Sequence, residues 1–221
     1  MTPLLPIAAA AGYLLGALPF GYLVARAHGV DIFKAGSGNP GATNVKRVLG
    51  SKAGNLVYIL DALKGAVAAG WPLLAAAFCG ATAGDPGWSL WGMGAGVAAG
   101  VVVLFAAVLG HSFSVFTRFK GGKGVATASG GLAVLMPVPI IVGLSVWFVT
   151  FLVSRYVSLA SILAAATVPG VAWLCTMPAT LKIMVTLLGA LVIVRHQSNL
   201  RRLFQGTEHR WERQRDCEEE E

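Results

Sequence analysis

Apolar residues run almost unbroken through six stretches of this chain: 4–25, 56–77, 88–109, 125–153, 157–176 and 181–194. Most approach the roughly 20 residues that a helix needs to cross a bilayer core. Backbone polar groups find no partner in lipid, so each stretch is expected to be helical. The longest carries Met136-Pro137-Val138-Pro139 near its middle. Proline removes an amide donor and disfavours helix at the residue before it. Splitting the stretch there gives two short helices of about 13–15 residues, roughly 20–23 Å long, and about seven crossings in all. The alternative is about five full crossings with one re-entrant segment. Gly92, Gly96 and Gly100 recur every four residues and mark a helix contact face.

The polar gaps set the orientation. Lys34, Lys46, Arg47 and Lys52 follow the first run, and Asp85 stands alone in the next gap. Arg118, Lys120 and Lys123 follow the third run, the split places Arg155 with them, and Arg195, Arg201 and Arg202 follow the last. Positive residues stay on the cytoplasmic side, so the N-terminus is expected outside and the basic segments inside.

Composition agrees. Of 221 residues, 56% are hydrophobic and only 12% charged, with mean hydropathy +0.70; a soluble domain carries about 25% charged residues. The fold class expected is an all-α integral membrane protein, one polytopic domain over 1–221 with a helical core (1–210) and a charged tail (211–221). The net charge of +7 follows from topology and brings no basic domain or recognition motif, so no nucleic-acid partner is expected. Cys79, Cys175 and Cys217 match no metal or redox spacing. The acidic residues are too scattered for a metal site, and no cofactor or obligate protein partner is expected. Arg26, the nearest positive charge, lies after the first run, so a cleaved signal peptide is not expected.

Three polar segments carry the candidate chemistry. The first is Ser37-Gly38-Asn39-Pro40-Gly41-Ala42-Thr43-Asn44 with Arg47, small donors followed by a guanidinium suited to phosphate; a capped loop entering a helix explains it equally well. The second is Gly121-Gly122-Lys123-Gly124, glycines and a cation ahead of a helix start, where amides bind anions. It lacks Walker A spacing, and alone it reads as a juxtamembrane turn. The third is Arg195-His196 with Asn199, Arg202 and Glu208; one helical turn brings His196 beside Asn199. His111 and His196 are either solvated interfacial histidines or proton-moving groups. Asp61 and Lys64, one turn apart inside a run, read as a structural ion pair, with Lys64 facing the polar pocket; orienting the polar loop just before them is the alternative.

Together these segments resemble the bacterial acyl-phosphate:glycerol-3-phosphate acyltransferase family of membrane enzymes. The family's first motif matches residues 37–44 with Arg47. Its second matches Gly110-His111-Ser112-Phe113, Phe116, Phe119 and Gly121 through Thr127. Its third matches Arg195-His196, Asn199, Arg202-Leu203, Gly206 and Glu208. Ser114 stands where the family usually has proline, which is expected to leave that turn less rigid.

The resemblance implies acyl transfer from acyl phosphate to the 1-hydroxyl of sn-glycerol 3-phosphate in the bacterial inner membrane, giving 1-acylglycerol 3-phosphate and phosphate. The site would face the cytoplasm, with membrane lipid around the helices. The expected catalytic residues are Lys123, His196, Asn199, Arg47 and Ser37. Expected substrate contacts are Gly38, Asn39, Thr43, Asn44, His111, Gly121, Gly122, Gly124, Thr127, Arg195, Arg202 and Glu208. None of His28, His111, His196 or His209 is followed four residues later by aspartate, the general-base pattern of soluble-headed glycerolipid acyltransferases. Direct, substrate-assisted transfer is therefore expected, because an acyl phosphate is already activated. A membrane transporter of an organophosphate is the competing possibility; it would need polar groups on both faces.

Overall fold

The computed structural model describes residues 4–78 and 95–211, and the described residues contain helices without strands. Asp85, Gly92, Cys79, Cys217 and the tail beyond Trp211 lie outside them. Helices α1 (Leu4–Ala17) and α2 (Phe20–Ala27) form one broken span. The short amphipathic α3 (Ala42–Leu49) follows, then α4 (Ser51–Phe78) and α5 (Ala95–Ser112). The second half holds α6 (Val125–Leu135), α7 (Pro137–Ser154), α8 (Val157–Leu174), α9 (Ala179–Arg195) and α10 (Gln197–Phe204). Among the described residues, five spans are long and apolar enough to cross a membrane, and the α9–α10 pair, bent by 55°, makes a sixth if it is counted as one span. The short apolar α6 completes the set expected from the sequence. At 11 residues it reaches about 16 Å, roughly half a bilayer core.

The proline break falls at Met136, and its position makes the two halves unequal. Pro137 is the first residue of α7, where a missing N–H costs nothing. Pro139 lies in the same first turn, so α7 continues for 18 residues, longer than expected, and α6 keeps 11.

Glycines hold the bundle together. Gly12, Gly16 and Gly110 lie at the α1–α5 contact, where a Cβ at any of them would strike backbone of the other helix. Gly65 and Gly130 do the same between α4 and α6, and Gly96 and Gly100 between α5 and α4. Close backbone approach replaces the hydrophobic effect, which is absent between helices in lipid. A central core of Leu104, Leu132, Met136, Val168, Val185 and Leu188 joins α5 to α9, and a smaller one (Ala25, Ile32, Val45, Val57) seats α3 against α2 and α4. All three polar segments meet at one end of the bundle.

Candidate active site

The first segment closes on itself around Asn44. Its Oδ1 accepts the Ser37 amide at 2.8 Å, and its Nδ2 donates to the Ala35 carbonyl at 3.0 Å. Arg47 Nη1 reaches the same oxygen at 3.5 Å, and Asn39 Oδ1 accepts the Gly41 amide at 2.9 Å. Gly36 and Gly38 sit at φ +57° and +68°, where a side chain is strained. Asn44 is thus the loop's hub, leaving Ser37, Thr43 and Arg47 to present side chains to the cavity.

The second segment begins where α5 ends. A short 3-10 turn, Val115–Thr117, follows Ser114, whose φ of −67° is that of proline. Its hydroxyl donates to the Ala17 carbonyl at 2.5 Å, and the Tyr13 hydroxyl donates to the Phe113 carbonyl at 2.8 Å. The turn is therefore anchored across the bundle by the serine hydroxyl, not loosened by the missing proline. Beyond it, the Gly122 amide donates to the His111 carbonyl at 3.0 Å. Arg195 donates to the Gly121 and Gly122 carbonyls at 3.1–3.3 Å, with its guanidinium 4.9 Å above the Phe113 ring. Gly124, at φ +83°, caps α6. Gly124, Val125 and Ala126 line the cavity, so the positive end of α6 opens on it with its first-turn amides unpaired within the helix.

The third segment supplies a bridge. His196 sits at the α9–α10 bend, 3% exposed, with Nδ1 2.7 Å from the Val192 carbonyl. A carbonyl only accepts, so Nδ1 carries the hydrogen and the other ring nitrogen is left as an acceptor. Asn199 Oδ1 accepts Lys123 Nζ at 2.5 Å, and its amide donates to Glu208 at 2.6 Å. Glu208 also accepts from Arg202 Nε at 2.7 Å. Both ends of the Asn199 amide are committed, so it places Lys123.

The electrostatics follow from burial among cations. Burial lowers Lys123 to about 8; Glu208 opposes this, while Arg202, Arg195 and Arg47 push the same way. Burial alone would raise Glu208, but hydrogen bonds from Asn199 and Arg202 hold it below the usual carboxylate range. Burial draws Arg47 down despite the neighbouring Glu208 charge.

These groups face a cavity of about 550 Å³. Its polar part receives Ser37, Asn39, Thr43, Asn44 and Arg47 from the first segment, and His111, Lys123 and Gly124 from the second. His196, Asn199, Arg202 and Glu208 come from the third. The cavity continues between α6, α7, α8 and α9 along Leu132, Ile140, Trp147, Val168 and Leu188, which suits an alkyl chain.

Five expected contacts lie off this wall. Gly38 shapes the first loop, and Gly121 and Gly122 turn their carbonyls to Arg195. Arg195 braces that loop. Thr127 is fully buried, with its backbone at the Gly65 contact between α4 and α6. Conversely, Asn55, Tyr58 and Trp211 line the cavity without having been foreseen. Asn55, Tyr58 and Asp61 recur every three residues, a stripe on one face of α4 that was visible in the sequence.

Fold and cavity define a polytopic helical membrane protein whose basic chamber opens into an apolar groove. The sequence profile of the glycerol-3-phosphate acyltransferase family matches residues 6–206, and the chain belongs to that family. The glycerol-3-phosphate acyltransferase of Aquifex aeolicus (strain VF5) is 43% identical over 199 residues, 90% of this chain and 95% of that protein. Its counterpart from Geotalea daltonii is 42% identical over 201 residues, 91% and 94% of the two chains. Crystal structures of PlsY (YgiH), an integral membrane glycerol 3-phosphate acyltransferase, superpose with TM-scores of 0.81 for the glycerol 3-phosphate form and 0.78 for the lysophosphatidic acid form. Both are 39% identical and cover 94% of this chain, with 96% and 95% of theirs matched.

Proposed function

We propose that this acyltransferase takes its acyl group from acyl phosphate and delivers it directly to the 1-hydroxyl of sn-glycerol 3-phosphate. The observation that carries this is one cavity in which Arg47, Lys123 and the α6 N-terminus face a polar chamber continuous with an apolar groove. Two phosphates and one alkyl chain are the ligands such a chamber fits. Lys123 and the α6 amides hold the acyl phosphate, with its chain in the groove. Ser37 and Arg47, with Asn39 and Thr43 beside them, hold glycerol 3-phosphate.

Transfer then needs no acyl-enzyme. The glycerol oxygen attacks the acyl carbon, the bond from that carbon to the phosphate oxygen breaks, and phosphate leaves. The hydroxyl proton passes to a phosphate oxygen as the new bond forms, with His196 lining the chamber beside the reacting groups. Lys123 stabilises the charge that develops on the phosphate. Among the described residues, neither Ser37 nor Thr43 hydrogen-bonds a histidine or carboxylate through its hydroxyl, which supports direct attack. The basic end of the bundle is assigned to the cytoplasmic side of a bacterial inner membrane, with the N-terminus outside.

The test is phosphate release by purified protein given palmitoyl phosphate and glycerol 3-phosphate, with acyl-CoA and acyl-carrier protein as rival donors. Release that requires both substrates supports the proposal. Acylation from acyl-CoA or acyl-carrier protein, with palmitoyl phosphate inert, overturns the donor assignment.

A further inference from the structure

The buried groups beneath the second segment have no part in the transfer step. Pro19 ends α1 and leaves its last carbonyls without helical partners. Ser114 takes the Ala17 carbonyl, and Lys64 Nζ donates to the Leu18 carbonyl at 3.0 Å. Lys64 Nζ also lies 2.7 Å from Asp61 Oδ1, and both residues are buried, 3% and 2% exposed. The same carboxylate oxygen is 3.5 Å from His111 Nδ1. Balancing Lys64 accounts for a carboxylate at this depth. It does not account for a second partner on the same oxygen.

His111 touches the second segment twice. Its carbonyl accepts the Gly122 amide, and its ring Nε2 occupies the space that a Cβ on Gly122 would take. The next residue is Lys123, whose ammonium meets Asn199.

We propose that Asp61 is a positioning residue for the transfer reaction: through His111 it sets the height of Gly122 and thereby the place of the Lys123 ammonium. The carboxylate accepts the Nδ1 hydrogen and fixes the ring plane, in the way carboxylates orient imidazoles elsewhere. The ring is the floor on which Gly122 rests. Arg195 holds the same peptides from the other side, so the loop is clamped between two fixed groups. Asp61 acts through the His111 ring. This rests on the assignment of Lys123 to the acyl phosphate.

Two neutral double variants separate positioning from charge balance. Asp61→Leu with Lys64→Met removes both charges and the acceptor facing His111. Asp61→Asn with Lys64→Met also removes both charges but keeps an oxygen there. Thermal stability, kcat, and KM for each substrate are measured on purified protein. The leucine pair is expected to raise KM for acyl phosphate about tenfold or more, leaving KM for glycerol 3-phosphate unchanged. The asparagine pair is expected to restore it. Equal acyl-phosphate KM in the two double variants overturns the proposal.

His111→Phe gives a further reading if either pair fails to fold, because it leaves the Asp61–Lys64 pair intact and keeps a ring under Gly122. An unchanged acyl-phosphate KM in this variant overturns the proposal, because the bond from the ring to Asp61 is then gone without effect. Lys123→Ala is the control: if it leaves turnover and acyl-phosphate KM untouched, the assignment of Lys123 falls first.

Discussion

The first and second polar loops look alike in sequence, glycine-rich and each accompanied by a cation that faces the cavity, yet their hydrogen bonds come from opposite places. The hydrogen bonds that shape the first reach no further than nine residues and centre on Asn44. The braces on the second come from Arg195 and Asn199, 73 to 76 residues away, and from His111 beneath. Arg47 therefore stands on α3 just after a loop that hydrogen-bonds within itself, whereas Lys123 stands where the docking of α9 and α10 puts it. Damage to the first loop is to be sought inside it, and damage to the second across the bundle.

The two loops should nevertheless deliver equal charge. Lys123→Ala and Arg47→Ala are each expected to lower turnover at least about a hundredfold in the two-substrate assay, since each removes a charge-stabilising contact. A near-normal rate in one of them would remove that loop from the chemistry.

The braces then break the symmetry. Asn44→Ala leaves the Ser37 amide unpaired and removes one of the two bonds to the Ala35 carbonyl, so it should cost about 2 kcal/mol of stability in thermal denaturation. Arg195→Ala should instead raise KM for the acyl donor about tenfold, by releasing the Gly121 and Gly122 carbonyls. If both variants changed stability alone, the second loop would be as self-sufficient as the first.

Protonation distinguishes the two cations more gently. Lys123, lowered to about 8, is charged below that pH and loses its charge as pH rises through it. The value of kcat/KM for the acyl donor should therefore fall above about pH 8, roughly tenfold per unit. The corresponding limb in kcat should lie higher, because a bound anion favours the ammonium. Arg47 stays charged throughout this range and contributes no such limb. A flat profile to pH 10 or so would show that the Lys123 charge is not required.

The smallest effect concerns the anchor at the turn. Ser114→Ala should cost about 1 kcal/mol in thermal denaturation by losing the bond to Ala17. Ser114→Pro should fold with an equal or smaller loss, since φ is already −67° and proline restricts the unfolded chain. A larger loss from proline than from alanine would mean that the Ser114 amide matters more than its hydroxyl.

Much of this was legible in the residues. The spans, the break before Pro137 and the three anion-suited segments follow from local rules: lipid forbids unpaired backbone, proline lacks a donor, and glycines free amides. Side-chain direction was not legible in the same way. Thr127 belongs to the second motif, yet the α4–α6 glycine contact turns it away from the cavity. In a membrane helix both the lipid face and the protein face are apolar, so periodicity does not tell which way a residue points.

What the sequence alone determined is therefore the inventory: which stretches are helical, the break before Pro137, and which segments carry groups suited to phosphate. Tertiary structure decided the assignments within it. Arg195 became a brace, Asn199 a bridge and Asp61 the partner of His111, because each role depends on contacts between segments far apart in the chain. Such contacts exist only after small-residue faces bring the helices close, and no local propensity encodes which side chain then meets which.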